Sequence, residues 1–227
     1  MIRVTENLNV VRDLLAQAAI EADREPGDVK LLAVSKKQPL SAILDAAAAG
    51  QLDFGENYVQ EGAEKVDSCA RTDLTWHYIG HLQSNKTRDV ATRFDWVHTV
   101  DSLKIARRLS AQRPAGRGAL NLCIQVNIDN SESKSGTTAQ QAIELAAAVA
   151  GLPKVRLRGL MCLPAVRDSL DGQREPFARL RELAQTISGN GIELDTLSMG
   201  MSGDFRAAIL EGATIVRIGT AVFGPRT

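Results

Sequence analysis

A lysine stands where an apolar run of the sequence ends. Lys36 follows VKLLAVS (29–35), a segment typical of a buried strand that leads into a turn. A primary amine in that position is partly desolvated, which favours the neutral form that attacks carbonyl groups and forms Schiff bases. Taken alone, Lys36 is equally well explained as a structural lysine that extends from the rim into water. Lys37 is predicted to be a solvated neighbour, because adjacent strand residues face opposite ways.

Two short segments near the C-terminus have the composition of a phosphate-binding site. In SMGMSGDFRAAILEGA (198–213), Ser202 and Gly203 precede a predicted helix whose first N–H groups can bind an anion. Asp204 is the counterargument, because a carboxylate also favours a helix N-terminus. Gly219-Thr220 offers close backbone approach, a hydroxyl and an N–H. Each segment alone is explained as an ordinary tight turn. Together they follow the last two strand candidates, where barrels often bind phosphate.

Arg217 lies in the last strand candidate, two residues before the Gly219-Thr220 turn. An amine, an arginine and a phosphate site at one end of a sheet match the needs of pyridoxal 5′-phosphate (PLP). Lys36 would take the aldehyde, and Arg217 would meet the pyridine nitrogen. A permanently charged arginine disfavours protonation of that nitrogen and makes the ring a weaker electron sink. The alternatives are a salt-bridge role for Arg217 and an aldolase that uses its lysine without a cofactor.

Three further side chains are candidates for contacts with the cofactor. Asn57 either caps the helix that follows it or hydrogen-bonds the phenolic oxygen, and capping is the simpler explanation. His81 either contacts the ring or simply ends a strand, and Met161 either lies under the ring or belongs to the core. His77 and His98 lie within strand candidates, which favours core positions. No metal site is predicted.

The order of segments predicts the fold. An amphipathic helix over residues 2–23 precedes eight short apolar runs that alternate with helical stretches. The strand candidates are 29–35, 52–55, 76–80, 96–100, 120–128, 155–163, 196–200 and 214–219. Such alternation implies parallel pairing, and we predict an α/β fold with one (β/α)8 TIM barrel over residues 1–227 and an extra N-terminal helix. An open doubly wound sheet is the alternative.

Two polar loops are predicted at the C-terminal mouth of this barrel, where barrel sites are built. They cover residues 127–136, after the fifth strand candidate, and residues 164–176, after the sixth. Lys134 in the first loop is predicted to be solvated although its loop overhangs the mouth.

Composition excludes several function classes. The chain has 227 residues with 27 basic and 27 acidic side chains, which gives no bias toward nucleic acid or a membrane surface as partner. The N-terminus lacks the apolar core of a signal peptide, and no run is long enough to span a bilayer. Three widely spaced cysteines form neither a disulfide framework nor a zinc pattern, which suits the cytoplasm.

Five segments in order resemble the YggS/PROSC family of pyridoxal phosphate homeostasis proteins. They are AVSK (33–36), FGENYVQE (54–61), WHYIGHLQSNK (76–86), SMGMSGD (198–204) and RIGTAVFG (217–224). The resemblance implies a modified TIM barrel like the N-terminal domain of bacterial alanine racemase, with PLP bound at its mouth. It also implies a set of site roles: the Schiff-base lysine on Lys36, the phosphate contacts on Ser202, Gly219 and Thr220, the arginine at the pyridine nitrogen on Arg217, and Asn57 near the cofactor.

The resemblance implies a carrier or buffer of PLP without an established reaction. The expected function is PLP homeostasis, with PLP held as an internal aldimine on Lys36 and delivered to apo-enzymes by a monomer. The alternative is an amino-acid racemase of the alanine racemase type, which needs an acid/base on each face of the substrate. In the racemases a tyrosine from an added domain serves the second face. Here the sequence ends at Thr227 and its only tyrosines are Tyr58 and Tyr78, which favours binding over catalysis.

Overall fold

The structure is a computed structural model that describes residues 4–132 and 134–224 and shows eight parallel strands closed into a barrel. The strands are β1 Lys30–Val34, β2 Asp53–Glu56, β3 Thr75–Tyr78, β4 Trp96–Val100, β5 Leu120–Val126, β6 Val155–Cys162, β7 Thr196–Ser198 and β8 Ile215–Ile218. β1 pairs in parallel with β2 and with β8, where Leu31 lies opposite Val216, so the sheet closes without a free edge. The predicted barrel is confirmed, and the open doubly wound sheet is excluded.

Helices connect the strands around the outside of the barrel. They are α1 Val4–Glu21, α2 Leu40–Ala48, α3 Val59–Ser68, α4 Thr87–Arg93, α5 Leu103–Gln112, α6 Ala139–Ala150, α7 Leu170–Gly189, α8 Phe205–Leu210 and α9 Thr220–Phe223. Short 3-10 turns at Pro26–Asp28 and Ser84–Lys86 complete the connections. Each strand is therefore followed by a helix, and every C-terminal strand end opens at the same mouth.

Alternation along the strands divides the buried residues into two layers. On β1, Leu31 and Ala33 belong to the main core between the sheet and the helices. Leu32 and Val34 instead group with Ile79, just beyond β3, and with Ile215 of β8 inside the barrel. The interior also holds polar side chains, all buried: His77, His98, Ser198 and Arg217. The barrel interior is thus a mixed core that continues into the mouth.

The N-terminal helix covers the place that would otherwise be open after β8. α1 packs against α2, α8 and α9. Asn7 Nδ2 donates a hydrogen bond to the backbone oxygen of Val222 at 3.0 Å, and Arg206 pairs with Glu21 at 2.6 Å. The N-terminal helix α1 therefore completes the ring of helices between α2 and the C-terminal helices α8 and α9.

The segment after β6 differs from the sequence prediction. A polar loop was predicted over residues 164–176, but α7 already begins at Leu170, where the Ser169 hydroxyl accepts the Gly172 N–H at 3.1 Å. Pro176 lies inside this helix and has no N–H for the carbonyl of Gly172, four residues earlier. Arg167 Nη1 donates to that carbonyl at 2.9 Å instead. A side chain thus replaces the backbone donor that Pro176 lacks, within a helix whose first residues the sequence indicated as a loop.

Residues 4–132 and 134–224 contain neither a membrane-spanning helix nor a cluster of metal ligands. No helix there is long and apolar enough to cross a membrane. No group of three or more histidine, cysteine, aspartate or glutamate side chains is arranged to hold a metal ion.

Candidate functional site

A cavity of about 320 Å³ opens at the C-terminal mouth of the barrel. This is at the lower end of the range of roughly 300–1,000 Å³ that is typical of small-molecule sites. Seven of the eight residues predicted from the sequence line it: Lys36, Asn57, Met161, Ser202, Arg217, Gly219 and Thr220. They come from the segments that follow β1 and β2, from β6 and β8, and from the segments that follow β7 and β8. The eighth, His81, lines an adjoining cavity.

Lys36 lies two residues beyond the end of β1, in a turn rather than on the strand itself. The Gln38 N–H donates to the Ser35 carbonyl at 3.0 Å and closes the turn. Lys37 occupies the left-handed region with φ +59°, is exposed, and donates its N–H to Glu61 Oε1 at 2.5 Å. Lys36 is half-buried and lines the mouth cavity, so the two lysines do face different environments as predicted.

A cluster of charged side chains, Glu56, Glu61 and Lys65, packs against this turn. Lys65 Nζ lies 2.7 Å from Glu56 Oε1 and 2.7 Å from Glu61 Oε1. The Ser35 hydroxyl donates to Glu56 Oε1 at 2.6 Å. Burial raises the pKa of Glu56, although Lys65 and the Ser35 hydroxyl act in the opposite direction. The turn that carries Lys36 is therefore fixed by side chains from β2 and α3.

Arg217 lies on β8 with its side chain inside the barrel and is 4% exposed. Its Nη1 donates to Ser198 Oγ at 2.7 Å and its Nη2 to the Cys162 carbonyl at 2.9 Å. Burial lowers its pKa from the ordinary value. It makes no ion pair with a carboxylate in the part of the chain that the structure describes, so the salt-bridge alternative has no support. The guanidinium reaches the mouth cavity as a cation held by neutral acceptors.

The loop between β7 and α8 turns sharply toward the mouth. Gly200 has φ +93°, and an added Cβ would lie 2.6 Å from the Ala208 Cβ. Its carbonyl accepts the Arg217 N–H at 2.9 Å. Ser202 and the adjacent Gly203 follow, exposed at the cavity. Asp204 caps the turn, since its Oδ1 accepts the Met201 N–H at 2.6 Å. The Asp204 carboxylate, which the sequence suggested would compete with a bound anion, therefore accepts a hydrogen bond within its own turn.

The second turn lies where β8 passes into α9. An added Cβ on Gly219 would lie 3.1 Å from the Val34 carbonyl, so glycine lets this turn approach the end of β1 closely. Thr220 is exposed and begins α9. The Gly219-Thr220 turn and the Ser202-Gly203 turn line the same cavity, which places hydroxyl groups and backbone N–H groups on one side of the mouth.

Asn57, which directly follows β2, and Met161 on β6 also line the cavity. α3 has Tyr58 as its N-terminal cap and shows no side-chain capping bond, so the structure gives Asn57 no capping role. Asn57 Oδ1 is buried without a hydrogen-bond partner among the described residues. Met161 is fully buried and packs with Trp96 and Cys123 beneath the cavity. Asn57 is therefore a polar group that suits a ligand, while Met161 belongs to both core and cavity wall.

An adjoining cavity of about 450 Å³ shares part of its wall with the first. His81 lines this second cavity and is exposed, three residues beyond the end of β3. Lys134 lines it too, but it is only half-buried and not simply solvated as predicted. Its Nζ pairs with Asp129 at 2.7 Å and donates to the Leu163 carbonyl at 3.0 Å. These bonds tie the loop after β5 to the end of β6.

The apolar part of the mouth was not predicted from the sequence. Apart from the predicted Met161, it consists of Val34, Ile79, Leu163 and Met201. Counting back from Lys36 in steps of two gives Val34, so strand alternation could have identified it. Met201 stands inside the SMGMSGD segment that was already of interest. Ile79 and Leu163 follow the ends of β3 and β6 and have no distinguishing pattern.

A larger cavity of about 520 Å³ lies at the opposite end of the barrel. Arg12 in its wall donates to the Ala49 carbonyl at 2.9 Å, and Lys30 pairs with Asp53 at 3.1 Å. The catalytic and binding residues of barrels lie at the C-terminal mouth, and this cavity lies at the other end. We therefore take the mouth cavity as the functional site.

The chain is similar to known proteins over nearly its full length. The sequence matches the profile of the alanine racemase N-terminal domain over residues 6–227. The pyridoxal phosphate homeostasis protein of Pseudomonas aeruginosa is 53% identical over 226 residues, which cover 100% of this chain and 97% of that protein. The chain belongs to the pyridoxal phosphate homeostasis protein family. The resemblance seen in the five sequence segments is thereby confirmed.

Other members of the pyridoxal phosphate homeostasis protein family are similar over the same length. The protein of that name from Escherichia coli strain K12 is 51% identical over 229 residues, covering 98% of this chain and 97% of that protein. PipY of Synechococcus elongatus PCC7942, solved with PLP bound, is 36% identical with a TM-score of 0.85, covering 98% of this chain and 100% of PipY. The fold and its family are thus established over almost the whole chain.

Proposed function

We propose that this chain is a PLP-binding protein of PLP homeostasis that holds the cofactor covalently at Lys36. The observation that carries the proposal is the composition of one cavity. An amine, a buried guanidinium and the two turns predicted to bind phosphate line the same cavity of about 320 Å³ at the mouth. The same cofactor is supported by a pyridoxal phosphate homeostasis protein that is 53% identical to this chain and by the related PipY, which was solved with PLP bound.

The residues present fit the cofactor group by group. PLP supplies an aldehyde that condenses with a primary amine, and Lys36 Nζ offers that amine at the cavity wall. The Ser202-Gly203 turn has open space where a Cβ would stand, which leaves room for phosphate. Thr220 adds a hydroxyl and the N–H groups at the start of α9. Asn57, whose Oδ1 is buried without a partner, is assigned to the polar edge of the ring.

Arg217 favours storage of PLP over catalysis. Its side chain presents only N–H donors, so the ring nitrogen can accept a hydrogen bond from it but gains no carboxylate that would stabilise a proton there. An unprotonated ring withdraws fewer electrons from an attached substrate. The buried cation at β8 therefore suits a protein that retains the reactive aldehyde and limits its free concentration.

A racemase of the alanine racemase type is the second candidate, because the chain carries that family's N-terminal domain. Racemisation through two bases needs a second acid/base opposite Lys36. The Tyr78 hydroxyl donates to the carbonyls of Asn57 at 3.2 Å and His81 at 3.0 Å, and burial raises the pKa of Tyr78 to about 12. Tyr58 is 49% exposed and does not line the mouth cavity. Neither tyrosine is suited to exchange a proton with a substrate.

We further propose that the protein acts as a single PLP-binding domain over residues 1–227, as a cytoplasmic monomer that delivers PLP to apo-enzymes. The three cysteines are free thiols, which suits a reducing compartment. Sedimentation equilibrium tests the monomer. Transfer is tested by mixing the loaded protein with an apo-enzyme that depends on PLP and following the recovery of that enzyme's activity.

The decisive experiment is the visible absorption spectrum of the purified protein before and after borohydride, followed by peptide mapping. We expect a yellow protein whose reduced pyridoxyl group maps to Lys36. Lys36→Ala should lose the band and keep the barrel, whereas Lys37→Ala is the matched control on the neighbouring exposed lysine. A colourless protein that ignores added PLP would overturn the proposal and point to a lysine aldolase without cofactor. Interconversion of D- and L-alanine by the loaded protein would establish the racemase instead.

A further inference from the structure

A chain of hydrogen-bonded side chains crosses the barrel interior from its floor to Arg217. Asp53 Oδ1 lies 2.9 Å from His77 Nε2, and His77 Nδ1 lies 2.9 Å from His98 Nε2. His98 Nδ1 lies 2.7 Å from Ser198 Oγ, which accepts from Arg217 Nη1 at 2.7 Å. The five residues come from β2, β3, β4, β7 and β8. We call them the interior relay.

The two ends of the interior relay fix the direction of every bond in it. Arg217 can only donate, and an ionised Asp53 can only accept. With neutral histidines, the Ser198 hydroxyl must then donate to His98 Nδ1, and the proton of each imidazole must lie on Nε2. The opposite tautomers would set the lone pair of His77 Nε2 against the Asp53 carboxylate.

The charge states that this direction requires agree with the surroundings. Burial would raise the pKa of Asp53, but the His77 hydrogen bond and the nearby Lys30 outweigh it and lower that pKa. Burial lowers the pKa of His77 and, more strongly, that of His98, which also faces His77 and Arg217. Both rings are fully buried. The relay therefore joins one carboxylate to one guanidinium through neutral groups.

The interior relay helps to offset the unfavourable free energy of burying the Arg217 cation. A buried cation is unfavourable unless acceptors and an opposite charge stabilise it. Asp53 supplies the charge at the far end, and the aligned donors extend its effect to Ser198. Two N–H groups of Arg217 are occupied by Ser198 and the Cys162 carbonyl, which fixes the guanidinium plane. Arg217 also lines the mouth cavity, so the N–H groups that these two bonds do not use are the ones left for a ligand there.

We propose that Asp53, His77, His98 and Ser198 are positioning residues that hold Arg217 as an oriented donor and so set how tightly the mouth binds PLP. The proposal rests on the proposed function, since it assigns Arg217 to the cofactor. It extends the site to the N-terminal end of the barrel. Asp53 lines the cavity at that end, so the mouth responds to a charge at the barrel floor.

The first test needs no cofactor. The chain has three histidines, and His81 is exposed and outside the relay, so heteronuclear NMR of the ring nitrogens gives two relay signals and an internal reference. We expect His77 and His98 to be neutral with the proton on Nε2 and slow to exchange with solvent. A proton on Nδ1 of either ring, or a doubly protonated ring, would break the donor direction and overturn the proposal.

The second test measures PLP binding by Ser198→Ala, which removes the link between His98 and Arg217. Ser110→Ala is the matched control, since Ser110 is another buried serine and its Oγ donates to the Pro153 carbonyl outside the barrel interior. We expect Ser198→Ala to raise the PLP dissociation constant about tenfold, the size of one lost hydrogen bond. The absorption maximum of bound PLP should shift in this variant alone.

The outcomes separate this proposal from the proposed function. If both serine variants lose stability but bind PLP like wild type with an unshifted maximum, the relay is only structural and the proposal fails. Asp53→Asn, which can still accept from His77, should weaken PLP binding less than Ser198→Ala does. If wild type does not bind PLP at Lys36, the proposed function fails and the role of the relay toward PLP fails with it. The histidine tautomers would still show whether the donor chain exists.

Discussion

The ammonium nitrogen of Lys65 lies 2.8 Å from the backbone oxygen of Ser35, the residue that precedes Lys36. Lys65 belongs to α3 and Ser35 to the turn after β1, so this contact joins the helix to the turn that carries the proposed nucleophile. The same ammonium pairs with Glu56 and Glu61. Lys65 therefore pairs with two carboxylates and also fixes the backbone beside Lys36.

The buried pair makes stability sensitive to Lys65. Lys65 is 8% exposed and Glu56 is fully buried. We expect Lys65→Met to lower the free energy of unfolding by about 3–5 kcal/mol, because it leaves a carboxylate buried without its partner. Urea denaturation followed by circular dichroism measures the change.

Two further variants show whether a loss of stability in Lys65→Met comes from the broken ion pair. Lys104→Met is the control at an exposed lysine on α5 and should change stability by less than about 0.5 kcal/mol. Adding Glu56→Leu to Lys65→Met should recover most of the loss, because a buried ion pair can be replaced by apolar side chains at little cost. A loss below about 1 kcal/mol in Lys65→Met alone would show that the cluster does not hold the turn.

Thr220→Val tests the turn after β8 as part of the phosphate site. Removing a hydroxyl that binds an anion should weaken PLP binding by about 10- to 100-fold, the effect of losing one hydrogen bond to a charged group. Borohydride should still trap the cofactor on Lys36 at saturating PLP, since the amine is untouched. Fluorescence titration with PLP gives the dissociation constant.

The control for this change is Thr186→Val on the exposed surface of α7, which should bind PLP like wild type. Equal affinity of Thr220→Val and wild type would move the phosphate site elsewhere in the mouth.

The two buried histidines predict how stability depends on pH. Burial lowers the pKa of both His77 and His98 in the folded state. Below the ordinary value of about 6.5 the unfolded chain takes up protons before the folded one does. The contribution of the two neutral histidines to the free energy of unfolding is thus complete above about pH 6.5. It is lost as the pH falls toward their pKa values in the folded state. Each histidine can contribute a slope of up to about 1.4 kcal/mol per pH unit.

Urea denaturation between about pH 5 and 8 measures this slope, a range that brackets the ordinary histidine pKa of about 6.5. His98→Gln should reduce the slope by the share of one histidine, whereas His81→Gln, at an exposed position, is the control. If wild type and His98→Gln lose stability in parallel as pH falls, His98 does not resist protonation in the folded state.

The barrel could be predicted from the sequence because each strand candidate has a local signature. Apolar runs of four to nine residues were separated by helical stretches, and each candidate overlaps one observed strand. Closure then brings the strand ends together, so residues as distant as Lys36 and Arg217 line one cavity. Strand position therefore predicted which side chains share the mouth, without any knowledge of their contacts.

The interior relay could not be predicted in the same way. His77 and His98 lie in apolar strands, and their hydrogen bonds join β3 to β4 and then to Ser198, 100 residues further along the chain. Period-two alternation shows that such residues point inward but not which interior groups they meet. Lys65 was missed for a related reason, because a lysine on a helix is usually solvated and only packing against Glu56 shows that it is buried.

The loop after β7 gives a last prediction, since its path to the mouth depends on one glycine. Gly200 has φ +93°, and a Cβ there would lie 2.6 Å from the Ala208 Cβ of α8. Gly200→Ala should therefore lower the free energy of unfolding by about 1–3 kcal/mol through backbone strain and overpacking. Gly203→Ala in the same loop is the matched control for stability, because it has open space around its Cβ position. Thermal unfolding of the two variants measures the difference. If both unfold at the same temperature as wild type, the loop adjusts freely and does not fix Ser202 at the mouth. If only Gly200→Ala is destabilised, the left-handed glycine is what directs the loop after β7 over the cavity.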